Sequence, residues 1–345
     1  RARPEAMIFT FKKDTSEAEL QRIVSELEAA GIRTARSPES RRPILAAVDP
    51  VPDETRARLE ALPHVDSVTK PRGSWRRVDR AFRELPTVVD VSGVPFGARG
   101  VAVIAGPCSV ESEEIIGEAA ETAKRAGAHV LRGGGFKPRT SPYAFQGLGK
   151  EGLRLLKAAG DSSGMPVVSE IMDASQLPAF LDHDIDCLQV GARNMQNFTL
   201  LKAIAGVGKP VMLKRGLSAT LKEWLQAAEY LAAYGCDGII LCERGIRTFE
   251  TATRNTLDLT VLPLLRQWTH LPIIVDPSHA AGIPALIPPL SRASIAAGAD
   301  GVAVECHPRP AEAKSDGAQA LLPGELATLV AETRVVAAAV GRTLV

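Results

Sequence analysis

Eight short apolar, β-rich runs recur between residues 101 and 304 of this 345-residue chain, with helical stretches between them. They span residues 101–105, 129–131, 166–169, 187–190, 210–213, 238–241, 272–275 and 301–304. Eight alternating β and α units over about 250 residues are typical of a (β/α)8 TIM barrel. Continuous apolar strands fit such a barrel, because helices cover the outside of its parallel sheet.

The first 70 residues follow a different pattern, with strands and helices in the order βαββαβ. Thr15 or Ser16 can cap the first helix, which ends near Gly31. The predicted elements are a strand at 7–13, that helix, strands at 32–36 and 43–48, a helix at 53–62 and a strand at 65–69. This order is that of a ferredoxin-like α+β domain. We therefore predict a ferredoxin-like domain over 1–70, a basic linker over 71–85 and the catalytic barrel over 86–345.

Composition excludes several classes of function. The chain carries 41 basic and 40 acidic residues, so no bulk charge favours nucleic acid or an anionic membrane. No run is long and apolar enough for a membrane helix, and the amino end lacks the apolar core of a signal peptide. Five cysteines without a framework spacing suit a reducing compartment. We expect a soluble cytoplasmic protein.

Polar and reactive residues follow every predicted barrel strand, and in a closed parallel barrel these ends share one rim. Cys108, His279 and Glu305 follow strands one, seven and eight, and Asp316 lies in the loop after strand eight. One sulfur, one nitrogen and two carboxylate donors suit a single divalent ion of the manganese, iron, cobalt or zinc class. Cys306 and His307 are competing ligands. Strand alternation points Cys306 away from the side of Glu305.

Cationic side chains gather at the same rim. They are Arg132, Lys137, Arg139, Arg193, Lys214 and Arg244. Such residues are rarely buried unpaired, and arginine binds phosphate and carboxylate with a bidentate fork. A metal beside several anion sites suggests two anionic substrates, one with a carbonyl that the metal polarises. Whether Arg215 and Arg247 touch ligand is left open by the sequence.

Long motifs in this barrel closely resemble one enzyme family. They are GPCSVE (106–111), LRGGGFKPRTSPYAFQGLG (131–149), GARNMQNF (191–198), LKRG (213–216), LCERGIRTFE (241–250), DPSH (276–279) and PLSRA (289–293). The family is 3-deoxy-D-arabino-heptulosonate 7-phosphate (DAHP) synthase, in its type I beta branch, which carries a ferredoxin-like amino-terminal domain. At the amino end the resemblance is one of layout.

The resemblance implies condensation of phosphoenolpyruvate with D-erythrose 4-phosphate, the first step of the shikimate pathway to aromatic amino acids. It places the metal ligands on Cys108, His279, Glu305 and Asp316. It places phosphoenolpyruvate on Arg132, Lys137, Arg193, Lys214 and Arg244, and erythrose 4-phosphate on Lys137, Pro138, Arg139 and Thr140. Our mechanistic hypothesis adds two catalytic roles: Glu170 orients or deprotonates the attacking water, and Lys137 protonates the new alkoxide.

Three alternatives stay open. The first is the sister enzyme 3-deoxy-D-manno-octulosonate 8-phosphate synthase, which uses arabinose 5-phosphate and typically carries Ala-Asn-Arg where this chain has Lys137-Pro138-Arg139-Thr140. The second is a metal- and anion-binding protein without turnover. The third concerns the first domain, where Phe9 and Phe11 share a strand face that could stack RNA bases. Residues 1–85 hold only 17 basic against 14 acidic residues, which disfavours RNA. The resemblance instead implies feedback inhibition by tyrosine or phenylalanine at this domain, in a homotetramer.

Overall fold

The computed structural model describes residues 5–38, 40–138 and 141–345, which form two compact units. The first comprises Arg1–Thr87 and Leu264–His270, and the second comprises Val88–Pro263 and Leu271–Val345. The predicted linker, residues 71–85, belongs to the first unit. There Trp75, Val78 and Phe82 are buried.

The first unit contains a four-stranded antiparallel sheet with the strand order β2-β3-β1-β4. Its elements are β1 (Ile8–Phe11), α1 (Glu17–Ala29), β2 (Thr34–Arg36), β3 (Ile44–Ala47), α2 (Asp53–Glu60) and β4 (Val65–Thr69). This is the βαββαβ order that the sequence predicts. Ser16 caps α1 with a capping box. Its hydroxyl accepts a hydrogen bond from the backbone N–H of Glu19, and the Glu19 carboxylate accepts one from the backbone N–H of Ser16.

The core of this unit lies between the sheet and its helices. Phe9 and Phe11 are fully buried there and pack with Leu20, Ile23 and Leu27 of α1. Burial of both rings removes them from any surface, so they cannot serve as an RNA-stacking platform. The burial of both rings therefore favours core packing, the more common use of such residues, over the RNA alternative.

The second unit contains a closed barrel of parallel strands, which confirms the predicted fold class. A hairpin of β5 (Val89–Val91) and β6 (Val94–Phe96) precedes it. The barrel strands are β7 (Gly100–Gly106), β8 (Val130–Arg132), β9 (Val167–Ile171), β10 (Cys187–Val190), β11 (Val211–Lys214), β12 (Ile239–Glu243), β13 (Ile273–Val275) and β14 (Gly301–Glu305). Pairing of β14 with β7 closes the barrel, and β15 (Thr343–Leu344) adds to β7 from outside that ring.

Helices follow the barrel strands, as a (β/α)8 topology requires. They are α3 (Glu113–Ala126), α4 (Lys150–Ser163), α5 (Leu177–Asp182), α6 (Phe198–Ala205), α7 (Leu221–Ala233), α8 (Val261–Trp268), α9 (Pro277–Ala281), α10 (Ile287–Ala296) and α11 (Pro323–Ala339). Among the described residues, none of these helices combines the length and the apolar character that crossing a bilayer requires.

The hairpin closes one end of the barrel. Val89, Val91 and Phe96 pack against inward side chains from near the beginnings of the strands, among them Val130 and Val168. Polar groups would be costly in this apolar plug. The opposite end, where the strands finish, is left to carry the polar loops.

Candidate active site

A cavity of about 300 Å³ opens among the loops that follow the barrel strands. Its lining includes the predicted site residues Lys137, Pro138, Glu170, Arg193, Lys214, Arg244, His279 and Asp316. Cys108, Arg132 and Glu305 lie buried beside these residues. The remaining two predicted residues, Arg139 and Thr140, fall outside the part of the chain that the structure describes.

Four potential metal donors meet beside this cavity, and we refer to Cys108, His279, Glu305 and Asp316 as the donor cluster. One ligand atom from each lies within 4.8 Å of the other three. The Cys108 thiol contacts Asp316 Oδ2 at 3.0 Å, and His279 Nε2 lies 3.3 Å from Glu305 Oε1. Loops and strand ends far apart in sequence supply these atoms, so the closed barrel is what gathers them.

The orientation of His279 is fixed by Asp276, which caps the short helix α9. Asp276 Oδ1 accepts the backbone N–H of His279 at 2.9 Å, and its Oδ2 lies 2.8 Å from His279 Nδ1. Because an ionised carboxylate only accepts, Nδ1 carries the proton and Nε2 keeps a free lone pair toward the cluster. Burial lowers the pKa of His279 to about 4, so the ring is neutral at pH 7.

Lys137 joins the other half of the cluster. Its ammonium contacts Cys108 Sγ and lies 3.0 Å from Asp316 Oδ2. Burial raises the pKa of the Cys108 thiol. Burial alone would lower the pKa of Lys137, but Cys108, Glu305 and Asp316 outweigh it and raise that pKa. The side of the cluster formed by Cys108 and Asp316 therefore stabilises a positive charge, here that of the Lys137 ammonium group.

The cavity has a cationic wall. Lys214 Nζ lies 2.5 Å from Asp276 Oδ2, and Arg132 Nη2 donates to Glu305 Oε1 at 3.1 Å. Arg132 Nε and Nη1 are buried without a hydrogen-bond partner among the described residues. Arg193 and Arg244 line the cavity, and neither forms an ion pair with a carboxylate in the described ranges. Unsatisfied donors of this kind fit phosphate or carboxylate groups.

Residues 87–339 match the DAHP synthetase I family. The chain belongs to this family. The resemblance read from the sequence is thereby confirmed, and the family places the chain among carbon–carbon bond-forming enzymes.

Relatives of this family member extend the match to the first unit. Phospho-2-dehydro-3-deoxyheptonate aldolase of Thermotoga maritima is 44% identical over 335 residues, which cover 97% of this chain and 99% of that protein. A crystal structure of the Thermotoga DAHP synthase has a TM-score of 0.78 and 43% identity, and the match covers 99% of this chain and 100% of that one. A truncated form of the Thermotoga enzyme has a TM-score of 0.74 at 46% identity, covering 79% of this chain and all of its own.

Proteins with a different name also match a large part of the chain. The 2-dehydro-3-deoxyphosphooctonate aldolase of Syntrophotalea carbinolica is 34% identical over 256 residues. That match covers 69% of this chain and 91% of that protein.

The two arginines that the sequence left open have different surroundings in this family member. Arg215 Nη1 donates to Glu243 at 3.0 Å and to Asp258 at 3.1 Å, so its guanidinium is committed to a buried network. Arg247 lines the cavity. Of the two competing ligands in the described chain, neither Cys306 nor His307 joins the donor cluster. His307 Nε2 instead lies 3.9 Å from Glu111.

The Glu170 carboxylate lines the cavity and packs against the backbone of Gly191. A Cβ on Gly191 would lie 2.0 Å from Glu170 Oε1, so only glycine permits this approach of carboxylate to backbone. Gln189 Nε2 donates to the other carboxylate oxygen at 3.3 Å. Glu170 is therefore held at the cavity wall by residues of the neighbouring strand β10 and the loop after it.

Sequence reasoning missed three residues whose side chains contact side chains of the donor cluster: Asp276, Arg254 and Gln319. Asp276 was recoverable, because an aspartate three positions before a histidine at a strand end is the pattern of a capping residue. Arg254 and Gln319 carry no local signal. They meet Asp316 and Glu305 only through the fold.

Proposed function

We propose that this chain joins phosphoenolpyruvate to D-erythrose 4-phosphate and water, giving DAHP and inorganic phosphate. One observation carries the proposal: the donor cluster lies directly beside a cavity whose wall is cationic. The name of the Thermotoga relative, which matches nearly the whole chain, supports the same reaction. In that role the chain performs the first step of the shikimate pathway, which leads to the aromatic amino acids.

We propose that the donor cluster holds one divalent metal ion. The set of one thiol, one imidazole and two carboxylates fits manganese, iron, cobalt or zinc, and a free Nε2 on His279 fits a ligand role. The contact of an ammonium group with Cys108 and Asp316 supports this fit, since the cluster already attracts positive charge. When bound, such an ion supplies a Lewis acid for a carbonyl oxygen.

The cationic wall accounts for the charge of the first substrate. Phosphoenolpyruvate carries a phosphate and a carboxylate, and we assign them to Arg132, Lys137, Arg193, Lys214 and Arg244. Lys214 and Arg132 are buried, so their charges act where water does not screen them. Arg193 and Arg244 hold the phosphate that leaves. We assign the aldose phosphate to Lys137, Pro138, Arg139 and Thr140.

Lys137 and Glu170 carry the proton transfers in this proposal. C3 of phosphoenolpyruvate attacks the aldehyde carbon, and Lys137 gives a proton to the resulting alkoxide. Positive charge develops at C2, and Glu170 orients a water molecule toward C2 and accepts its proton. Phosphate then leaves with cleavage of its bond to C2, and the hydroxyl that water added at C2 gives its proton to the departing phosphate and becomes the carbonyl of DAHP. Both side chains line the same cavity, which this division of roles requires.

The direct test follows phosphate release from phosphoenolpyruvate. We expect turnover with erythrose 4-phosphate and Mn²⁺, loss of turnover after exhaustive chelation, and recovery when Mn²⁺ is restored. Cys108→Ala should lose metal and activity together. Full activity in the chelated protein would contradict the metal proposal, whereas turnover by Cys108→Ala with bound metal would contradict only its ligand set.

The octulosonate reaction is a second candidate, because octulosonate aldolases match 69% of this chain. The octulosonate aldolase of Syntrophotalea carbinolica matches 69% of this chain, whereas the Thermotoga heptonate enzyme matches 97% of it and therefore covers both units. Comparison of kcat/KM for erythrose 4-phosphate and arabinose 5-phosphate separates the two. We expect the four-carbon aldose to be preferred, and a preference for arabinose 5-phosphate would reverse the assignment.

We also propose feedback inhibition by tyrosine or phenylalanine through the first unit. A cavity of about 280 Å³ there is lined by Leu20, Val24 and Ile44, which suit an aromatic ring. Glu17 and Arg36, paired at 2.6 Å, also line it and offer one charge of each sign to the ligand's ammonium and carboxylate groups. Family resemblance implies that a homotetramer brings such units together.

Filling this cavity tests the regulatory proposal in the full chain. Val24→Trp should abolish inhibition by the aromatic amino acid and leave basal turnover intact, because Val24 belongs to the first unit. Deletion of residues 1–85 should have the same effect on inhibition. A truncated protein that is still inhibited would place the effector elsewhere, and light scattering of the full chain tests the tetramer.

A further inference from the structure

We propose that Arg254 and Gln319 form a clamp that positions Glu305 and Asp316 for metal binding. Neither clamp residue belongs to the donor cluster, and each contacts a member of it. The inference rests on the proposed metal site. It adds two positioning residues, which act on the ion through the carboxylates that they hold.

The amide of Gln319 has a single orientation. Gln319 is almost fully buried, its Nε2 donates to Glu305 Oε2, and its Oε1 accepts from Arg254 Nη1 at 2.7 Å. A carboxylate only accepts and a guanidinium only donates, so the amide cannot be reversed without losing both bonds. This occupies Glu305 Oε2 and leaves Glu305 Oε1 beside His279 Nε2.

The segment that carries Arg254 also contacts the helix of His279 and the carboxylate of Asp316. Its backbone N–H donates to Ala281 at 3.0 Å, and the next residue, Asn255, donates its side-chain amide to the carbonyl of His279 at 3.0 Å. The segment is thus bonded to the helix that carries His279. The Arg254 guanidinium also lies 3.7 Å from Asp316 Oδ1. The clamp therefore spans the loops of three members of the donor cluster.

Two properties of the site indicate that loss of the clamp would lower the affinity for metal. Asp316 has a φ of +47°, a left-handed backbone conformation that non-glycine residues adopt infrequently, so a contact that holds its carboxylate adds to a backbone position that few residues occupy. Glu305 also faces Arg132 at 3.1 Å, which competes for the oxygen turned toward His279. Partners that orient metal ligands commonly change metal affinity by about 10- to 100-fold when removed.

The test titrates metal-free, full-length protein with Mn²⁺ in a calorimeter. Gln319→Leu keeps the side-chain volume and removes both hydrogen bonds, and we expect it to raise the Kd for Mn²⁺ by about 10- to 100-fold. Arg254→Met should also raise it. The double variant should raise it by less than the product of the single factors, because both side chains act through one shared bond.

Arg292→Met is the matched control. The Arg292 side chain is 38% exposed, close to the 37% of Arg254, and it pairs with Glu332 on helix α11 instead of contacting the donor cluster. Its Mn²⁺ affinity should equal that of the wild type. Circular dichroism and thermal unfolding of each metal-free variant show whether it is folded, so that a change in Kd is separated from a loss of fold.

Three results would overturn the clamp. The first is a Kd for folded Gln319→Leu within about threefold of the wild-type value. The second is a strictly multiplicative effect in the double variant. The third is a higher KM for erythrose 4-phosphate in Arg254→Met with an unchanged Mn²⁺ affinity, since Arg254 would then bind substrate. If the wild type binds no Mn²⁺, the proposed metal site fails as well, so the two failures are distinguishable.

Discussion

Asp276→Asn should lower both the stability of the protein and its affinity for Mn²⁺. The carboxylate is fully buried and lies 2.5 Å from Lys214 Nζ, 2.8 Å from His279 Nδ1 and 4.0 Å from Arg132 Nη1. An amide of the same shape leaves no cavity, but it removes the only negative charge within salt-bridge distance of Lys214 among the described residues. Breaking one side of a buried ion pair costs about 3–5 kcal/mol, because the remaining charge stays buried and uncompensated.

We therefore expect Asp276→Asn to lower the free energy of unfolding by about 3–5 kcal/mol. Mn²⁺ affinity should also fall, because the amide no longer selects the His279 tautomer that frees Nε2. Urea unfolding of metal-free protein measures the first effect, and calorimetric titration measures the second.

Asp300→Asn is a matched control for this variant. Asp300 is also fully buried and pairs with Arg342 at 2.7 Å, but it lies outside the donor cluster. It should lower stability and leave Mn²⁺ affinity unchanged. A change of less than about 1 kcal/mol in the free energy of unfolding of Asp276→Asn would contradict the role of its charge, and equal losses of Mn²⁺ affinity in both variants would contradict its role in orienting His279.

Three further expectations concern single residues. Glu170→Gln should lower kcat by about 10²- to 10⁴-fold with Mn²⁺ affinity unchanged, and wild-type turnover would remove Glu170 from the mechanism. Gly191→Ala should also lower kcat, because a Cβ placed 2.0 Å from Glu170 Oε1 forces that carboxylate to move; an unaltered kcat would mean that the carboxylate position is unimportant. Burial lowers the pKa of His270 from 6.5 to about 3. As the pH falls below 6.5, the His270 imidazole is protonated in the unfolded chain but stays neutral in the folded one. The free energy of unfolding should therefore fall by about 1.4 kcal/mol for each pH unit between about pH 6.5 and pH 3. Urea unfolding between pH 7 and 5 measures how the free energy of unfolding changes with pH. This change should be smaller in His270→Gln than in the wild type, and equal changes would contradict the lowered pKa of His270.

The barrel was predictable because each strand is a continuous apolar run. The predicted and observed ends of the strands differ by at most two residues. At several carboxyl ends the strand continues into a charged residue: Arg132, Lys214 and Glu305 are the last residues of β8, β11 and β14. Their backbones stay in the sheet while their side chains serve the site. Hydrophobic pattern cannot show this, because it ends where the apolar residues end.

The donor cluster was accessible from sequence for a different reason. Closure of the barrel brings all strand ends to one rim, so donors after strands one, seven and eight are neighbours by topology. The supporting contacts were inaccessible, because Gln319 and Arg254 meet across loops whose conformations no pattern specifies. The same holds for Arg215, whose partners Glu243 and Asp258 became visible only in the fold.

The packing of residues 71–85 also escaped the sequence. Five arginines in this segment surround single apolar residues, among them Trp75 and Phe82, which are buried in the first unit. Phe82 covers one face of the sheet with Ile8 and Ile44. Isolated apolar residues without helical or strand periodicity give no sequence signal, although they fill a core as well as periodic ones do.

A crystal structure of the full chain with Mn²⁺, measured at the manganese absorption edge, would show whether the donor cluster binds the ion. We expect one strong anomalous peak bonded to Cys108 Sγ, His279 Nε2 and carboxylate oxygens of Glu305 and Asp316, at about 2.0–2.5 Å. A peak elsewhere in the molecule, or an ion that leaves the Cys108 sulfur and the His279 nitrogen unbound, would contradict it.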